Sequence, residues 1–246
     1  MPLKNVKTAI KTNFNTDIDG LLPVMFCFIL LFDNNLKISI PQDMKIFAIG
    51  QNYVEHNKEL NSKHPTEPVV FMKPDTAVLR NNKPFFIPDF SNEIHYETEL
   101  IIKINRIGKN IAPRFAHRYY SEIGLGVDFT ARDLQRRLKE SGHPWEIAKA
   151  FDNSAVIGNF LPAEQFPDVQ DIRFSMNLNG NTVQNGHSAD MIFPIDELIA
   201  HVSRFFTLKI GDILFTGTPV GVGKVAVGDR LEGFIGQEKM FDFKVK

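Results

Sequence analysis

The chain of 246 residues contains one cysteine, Cys27. A single thiol excludes an intramolecular disulfide and fits a reducing compartment. Charge of one sign is also missing: 28 lysines and arginines face 29 aspartates and glutamates, for a net charge of −1. No basic run and no interleaving of basic with aromatic residues rises above this balance, which argues against nucleic acid as a partner. Long hydrophobic runs are absent too. The longest, Leu21 to Phe32, is interrupted by Pro23 and is too short to span a bilayer as a helix. Lysines at 4, 7 and 11 precede it in the manner of a signal peptide. No small-residue cleavage site follows, however, and the chain continues Asp33-Asn34-Asn35. The expected location is the cytoplasm, with no membrane partner. Without a Cys/His cluster a zinc site is disfavoured. There is no internal repeat and no low-complexity tract.

What is present centres on Ile94-His95-Tyr96-Glu97-Thr98-Glu99-Leu100-Ile101-Ile102-Lys103-Ile104. Its β-branched content reads as a strand. Successive strand side chains alternate in direction, so Glu97 and Glu99 project from one face. Neighbouring carboxylates repel unless a positive charge lies between them, and Mg²⁺ or Ca²⁺ suits such oxygen ligands. A solvated pair on an outer face is the ordinary alternative. The apolar residues around this pair weigh against it.

Residues 1–43 share little with the remainder, and Met44-Lys45-Ile46-Phe47-Ala48-Ile49 opens a clean strand. We therefore read 1–43 as a dispensable upstream extension and 44–246 as one domain. Asn52 is expected to cap a short helix reaching about Ser62, on which His56 and Glu59 share a face. A carboxylate beside an imidazole orients it and raises its basicity. A surface ion pair of little energetic value would look the same in sequence. Short strands follow at Val69 to Lys73, Thr76 to Arg80 and Phe85 to Ile87. A helix is expected over Arg114 to Tyr120, then a strand from Ile123 whose end delivers Asp128. Thr130-Ala131-Arg132-Asp133 resembles a capping box opening a helix to about Glu140, with Gln135 on its second turn. Lys149 stands inside the apolar octet Trp145 to Asp152, where a buried ammonium needs an anionic partner. Asn179-Gly180 signals a type I′ hairpin between Arg173 to Leu178 and Asn181 to Gln184. A helix from Pro194 turns Ile195, Leu198, Ile199, Val202 and Phe206 to the core. Finally, Thr216-Gly217-Thr218-Pro219-Val220-Gly221-Val222-Gly223 is a glycine-rich loop after a strand, able to turn amides toward an anion. It is not a Walker loop, and Gly124-x-Gly126 lacks the third glycine of a dinucleotide fingerprint.

Taken together, Glu97-x-Glu99, Asp128 before Thr-Ala-Arg-Asp, the Ala148-Lys149-Ala150-Phe151-Asp152 segment and the loop from Thr216 resemble the fumarylacetoacetate hydrolase family. Asn52-Tyr53-x-x-His56-x-x-Glu59 and Gly142-x-Pro144-Trp145 are most similar to its short acylpyruvase and oxaloacetate decarboxylase branch. The resemblance covers Met44 to Lys246. It implies a mainly β (α+β) fold, a mixed β-roll with a few short helices, and usually a homodimer. It also implies Mg²⁺ or Mn²⁺ (Ca²⁺ as a further candidate) on Glu97, Glu99 and Asp128. Lys149 and Thr218, with Gly217, Tyr53 and Gln135, would hold substrate, and His56 and Glu59 would lie on a closing lid. Gln51 stands where many members carry arginine. A neutral Gln51, with the 184–187 turn, then favours short acylpyruvates or oxaloacetate over fumarylpyruvate.

The expected activity is metal-dependent C–C cleavage of a small 2-keto acid through a pyruvate enolate, by acylpyruvate hydrolysis or oxaloacetate decarboxylation. No organic cofactor is signalled. A keto-enol tautomerase or a 2-hydroxyhepta-2,4-diene-1,7-dioate isomerase would use the same metal site. A scaffold that binds metal or dicarboxylate without turnover is the remaining alternative.

Overall fold

A computed structural model of the chain describes residues 44–62 and 64–246. The strands are β1 (Ile46–Gly50), β2 (Val69–Lys73), β3 (Val78–Leu79), β4 (Ile94–Tyr96), β5 (Thr98–Ile104), β6 (Tyr120–Asp128) and β7 (Thr130–Ala131). They continue with β8 (Ala155–Pro162), β9 (Arg173–Leu178), β10 (Asn181–His187), β11 (Ile213–Phe215), β12 (Gly223–Lys224), β13 (Arg230–Ile235) and β14 (Glu238–Lys244). The α-helices are short: α1 (Val54–Glu59), α2 (Pro113–Ala116), α3 (Arg132–Ser141), α4 (Glu146–Lys149) and α5 (Ile195–Phe205). The fold is mainly β, as expected. The expectations for 1–43, an extension with a short apolar run, lie outside the described residues.

A seven-stranded sheet, ordered β2-β1-β11-β5-β6-β8-β3, carries the core. It is mixed, because β1 pairs parallel with β11 and β3 with β8 while its other pairs are antiparallel. Its central strands are apolar on both faces. On β5, Leu100 and Ile102 join one buried cluster and Ile101 the other, and β1 divides Phe47 and Ile49 from Ile46 and Ala48 in the same way. A strand buried on both sides reads as a continuous hydrophobic run, which is what the sequence shows. Each fully buried Phe or Ile contributes about 1.5–3 kcal/mol relative to exposure. A four-stranded sheet, β10-β9-β13-β14, packs over β5, β6 and β8, and a small sheet, β12-β4-β7, completes the set.

Several local expectations are corrected. Asn52 caps nothing: its side-chain nitrogen donates to the carbonyls of Phe193 and Thr216, and its oxygen accepts from the Phe193 amide. These long-range bonds outcompete the local one, and the helix starts at Val54 behind an uncapped Tyr53. Thr130 is not a cap either. It lies in β7, α3 starts behind Ala131, and Asp133 serves Ser91 and the Asn92 amide. Gly142, at φ 64°, closes α3. Thr76 to Arg80 is a 3₁₀ turn plus the two-residue β3, and within Phe85 to Ile87 only Phe85 forms an isolated bridge. The turn expected over 184–187 is strand, since β10 runs on to His187. Asn179 and Gly180 both have positive φ, as a type I′ turn requires.

Gly158 on β8 shows how tightly the sheets approach: a Cβ there would lie 2.6 Å from the Leu125 carbonyl oxygen and 2.7 Å from that of Met240. Both are strand backbone and cannot swing aside. Gly158→Ala is therefore expected to lower stability by about 2 kcal/mol in urea denaturation. An unchanged midpoint would contradict this packing.

Candidate active site

The run from Ile94 to Ile104 is not one strand. It breaks at Glu97, where the chain leaves the three-stranded sheet on β4 and enters the seven-stranded sheet on β5. Glu97 belongs to neither strand, and its carbonyl accepts the Asp128 amide at 2.8 Å. Glu99 lies opposite Gly126 in the β5–β6 register, and Asp128 is two residues further along β6. Glycine at 126 adds no side chain beside Glu99, while Asp128 projects from the same face as the Gly126 position. The outcome is a buried cluster of Glu97, Glu99 and Asp128, with one carboxylate oxygen from each within 4.8 Å of the others.

Positive groups surround this cluster. Lys149 reaches in from α4, its Nζ lying 2.7 Å from Glu97 Oε2, 2.6 Å from Asp128 Oδ2 and 2.7 Å from Thr130 Oγ1. Arg132 donates to Glu97 Oε1 and, at 2.6 Å, to Gln135 Oε1. Lys73 Nζ is 2.7 Å from Asp128 Oδ1, an ion pair buried on both sides. Burial alone would raise the Glu97 pKa, but Lys149, Arg132 and His56 outweigh it and hold this carboxyl well below the usual range. Glu99 behaves oppositely. Burial, with repulsion from Asp128, pushes it well above that range, although the Gly217 amide donates to Oε2 at 2.7 Å. For Lys149, burial opposes the charge and loses to Asp128 and Glu97, so its pKa is raised.

The donor set fits a hard divalent cation. Three carboxylates supply oxygens only, and their mutual repulsion is what a cation relieves.

The remaining expected residues converge from other elements. His56, on α1, is buried, and its Nδ1 lies 3.0 Å from Glu59 Oε2. Facing a carboxylate, Nδ1 is assigned the proton, which leaves Nε2 with the lone pair. Burial lowers the His56 pKa more than Glu97 and Glu59 raise it, so the ring is neutral near pH 7. Glu59 Oε1 accepts the Gly221 amide at 3.1 Å, joining α1 to the glycine-rich loop. Gly217 sits at φ 99°, where a Cβ would stand 2.7 Å from that of Asn52, so only glycine fits. Thr218 Oγ1 donates to the Thr98 carbonyl at 2.9 Å and accepts from Gln184 Nε2 at 2.9 Å. Tyr53 is buried, and among the described residues its hydroxyl has no hydrogen-bond partner. Burial first, then Glu99, pushes its pKa well up. Gln51 is half-buried at φ 62°, and its carbonyl accepts from Asn57 Nδ2. The Gln135 oxygen is committed to Arg132 rather than left open.

Sequence reasoning missed Arg132, Thr130 and Lys73 as parts of the cluster. The first two were absorbed by the capping-box reading. Lys73 ends an apolar strand, and a terminal lysine carries no sign that its head group turns inward.

Protonation of Glu99 gives a prediction. A carboxyl whose pKa is raised by folding binds its proton more tightly when folded, a stabilising contribution that fades as pH rises through the folded pKa. A cation on the ionised cluster displaces that proton, so its affinity rises with pH. Millimolar Mg²⁺ is expected to raise Tm more at alkaline than at acidic pH in parallel melts. A pH-independent increment would contradict this electrostatic account.

The family description "Fumarylacetoacetate (FAA) hydrolase C-terminal" matches residues 45–240. Oxaloacetate tautomerase YcgM of Escherichia coli (strain K12) is 43% identical over 188 residues, 76% of this chain and 86% of that protein. The mitochondrial oxaloacetate tautomerase FAHD1 of Mus musculus is 38% identical over 201 residues, 82% of this chain and 91% of that protein. Fumarylpyruvate hydrolase from Pseudomonas aeruginosa, solved in complex with Mn²⁺ and pyruvate, aligns with a TM-score of 0.78 at 35% identity. That alignment covers 82% of this chain and 89% of the other.

Proposed function

This chain belongs to the fumarylacetoacetate hydrolase family, and we propose that it is a divalent-metal-dependent enzyme that interconverts the keto and enol forms of oxaloacetate or a similarly small 2-keto acid. The observation that carries the reading is the buried Glu97, Glu99 and Asp128 cluster with Lys149 beside it and a neutral His56 held by Glu59. The names of the E. coli and mouse relatives move the emphasis from C–C cleavage, the leading expectation from sequence, to tautomerisation.

Mg²⁺ or Mn²⁺ on Glu97, Glu99 and Asp128 would supply Lewis-acid polarisation of the substrate's keto oxygen. His56 Nε2 is the base that takes a proton from the carbon next to the keto group, and Glu59 stabilises the imidazolium that results. The imidazolium then delivers that proton to the enolate oxygen, which restores neutral His56 and makes the reaction an isomerisation. Lys149 places positive charge where the enolate develops. The Tyr53 hydroxyl, without a hydrogen-bond partner among the described residues, is available to the substrate.

A second reading, hydrolysis of an acylpyruvate, is favoured by the His56–Glu59 pair and by the name of the Pseudomonas relative. Here His56 would take a proton from water attacking the distal carbonyl. The C–C bond breaks, its electron pair remains on the pyruvate enolate, and protonation gives pyruvate and a carboxylic acid. Homodimeric assembly and a cytoplasmic location are part of the proposal. Among the described residues, no helix is long and apolar enough to cross a membrane.

Assays of enol-oxaloacetate decay and acetylpyruvate hydrolysis, with chelator-treated and metal-restored protein, test both readings. Chelation is expected to abolish each activity and Mg²⁺ or Mn²⁺ to restore it. His56→Ala, which removes the base of both reactions, is expected to reduce each activity about 10²–10⁴-fold. Full activity after chelation would overturn the metal-dependent reading.

A further inference from the structure

We infer that Lys73 is a positioning residue, one that fixes Asp128 as a cation ligand and locks the α4 turn carrying Lys149 against it. The inference rests on the metal-dependent reading above.

Lys73 ends the edge strand β2, yet its side chain is buried. Its Nζ donates to the carbonyl of Lys149 and, at 3.0 Å, to Ser154 Oγ. It also lies 3.4 Å from the Ser154 carbonyl and 2.7 Å from Asp128 Oδ1. Ser154 Oγ in turn donates to the Lys149 carbonyl at 3.0 Å. Lys73 therefore touches the backbone of Lys149 on one side and the carboxylate of Asp128 on the other. Lys149 Nζ reaches that same carboxylate through Oδ2. The two lysines and the aspartate form a closed triangle, in which Asp128 belongs to the carboxylate cluster and Lys149 also contacts Glu97. A desolvated ammonium is tolerated only when oxygens surround it, and four do so here. Such an anchor holds both its partners to one geometry, as the groups behind metal ligands do.

Two physical roles make opposite predictions. If Lys73 merely repelled an incoming cation or balanced charge, its removal would tighten cation binding. If it positions Asp128, its removal weakens binding.

The test is calorimetric titration of Mn²⁺ into the full-length wild type, Lys73→Met and Ser154→Ala, with a melt of each metal-free protein. Lys73→Met is expected to weaken Mn²⁺ binding about ten- to a hundredfold. Ser154→Ala leaves the charge in place and removes one anchor, so a loss of roughly fivefold is expected, about one hydrogen bond, with the metal-free Tm nearly unchanged. This second variant keeps the inference falsifiable should Lys73→Met fail to fold. Wild-type affinity in Ser154→Ala, or equal or tighter binding in Lys73→Met, overturns the positioning role alone. A wild type that binds no Mn²⁺ overturns the metal reading and this inference with it.

Discussion

Burying three carboxylates within 4.8 Å of one another is the constraint on which the site and much of its surroundings depend. Each buried charge loses hydration worth several kcal/mol unless paired. The fold meets this demand with groups from four separate places: Lys73 at the end of β2, Arg132 at the start of α3, Lys149 on α4 and the Gly217 amide after β11. When all three carboxylates are ionised, these three cations cancel them. A divalent cation then leaves two positive charges to be offset, which suits an anionic substrate carrying two carboxylates or a carboxylate and an enolate. The shifts of Glu97 and Glu99 in opposite directions follow from this arrangement. Glu97 contacts two of the cations directly, while Glu99 has only an amide for a donor and bears the repulsion of Asp128.

A second layer of bonds determines how α1 is held over the cluster. Glu59 uses one oxygen for His56 and the other for the Gly221 amide, so the helix, the base and the glycine-rich loop share one carboxylate. Gln184 ties the same loop to the second sheet by bonding Thr218, the Pro219 carbonyl and the Thr98 amide. Residues distant in sequence thus set the spacing between the proton-transfer group and the carboxylates.

The legible parts of the sequence were those governed by local pattern. Glu-x-Glu in an apolar run, Asp128 at a strand end and Lys149 among apolar neighbours each announced a charge forced inward, and the hairpin at Asn179-Gly180 was dictated by its turn. The break at Glu97 was not legible, because period-two alternation is unchanged when a chain passes from one sheet to another. Asn52 and Thr130 misled because a helix cap and a long-range brace use the same side chains. Which one wins depends on partners such as Phe193, 141 positions from Asn52, and Lys149, 19 positions from Thr130. Lys73 was invisible as a site component for the same reason: its function lies in contacts that only the tertiary fold creates.

The central claim is that this buried, cation-binding cluster and His56 together move a proton at the carbon beside a 2-keto group. Proton NMR of pyruvate in D₂O with the Mg²⁺-loaded protein tests it most directly, because exchange of the methyl protons needs neither cleavage nor a particular distal group. The account predicts methyl exchange well above the rate with Mg²⁺ alone, and its loss in Glu99→Gln. Exchange no faster than in protein-free buffer, or undiminished in Glu99→Gln, would contradict it.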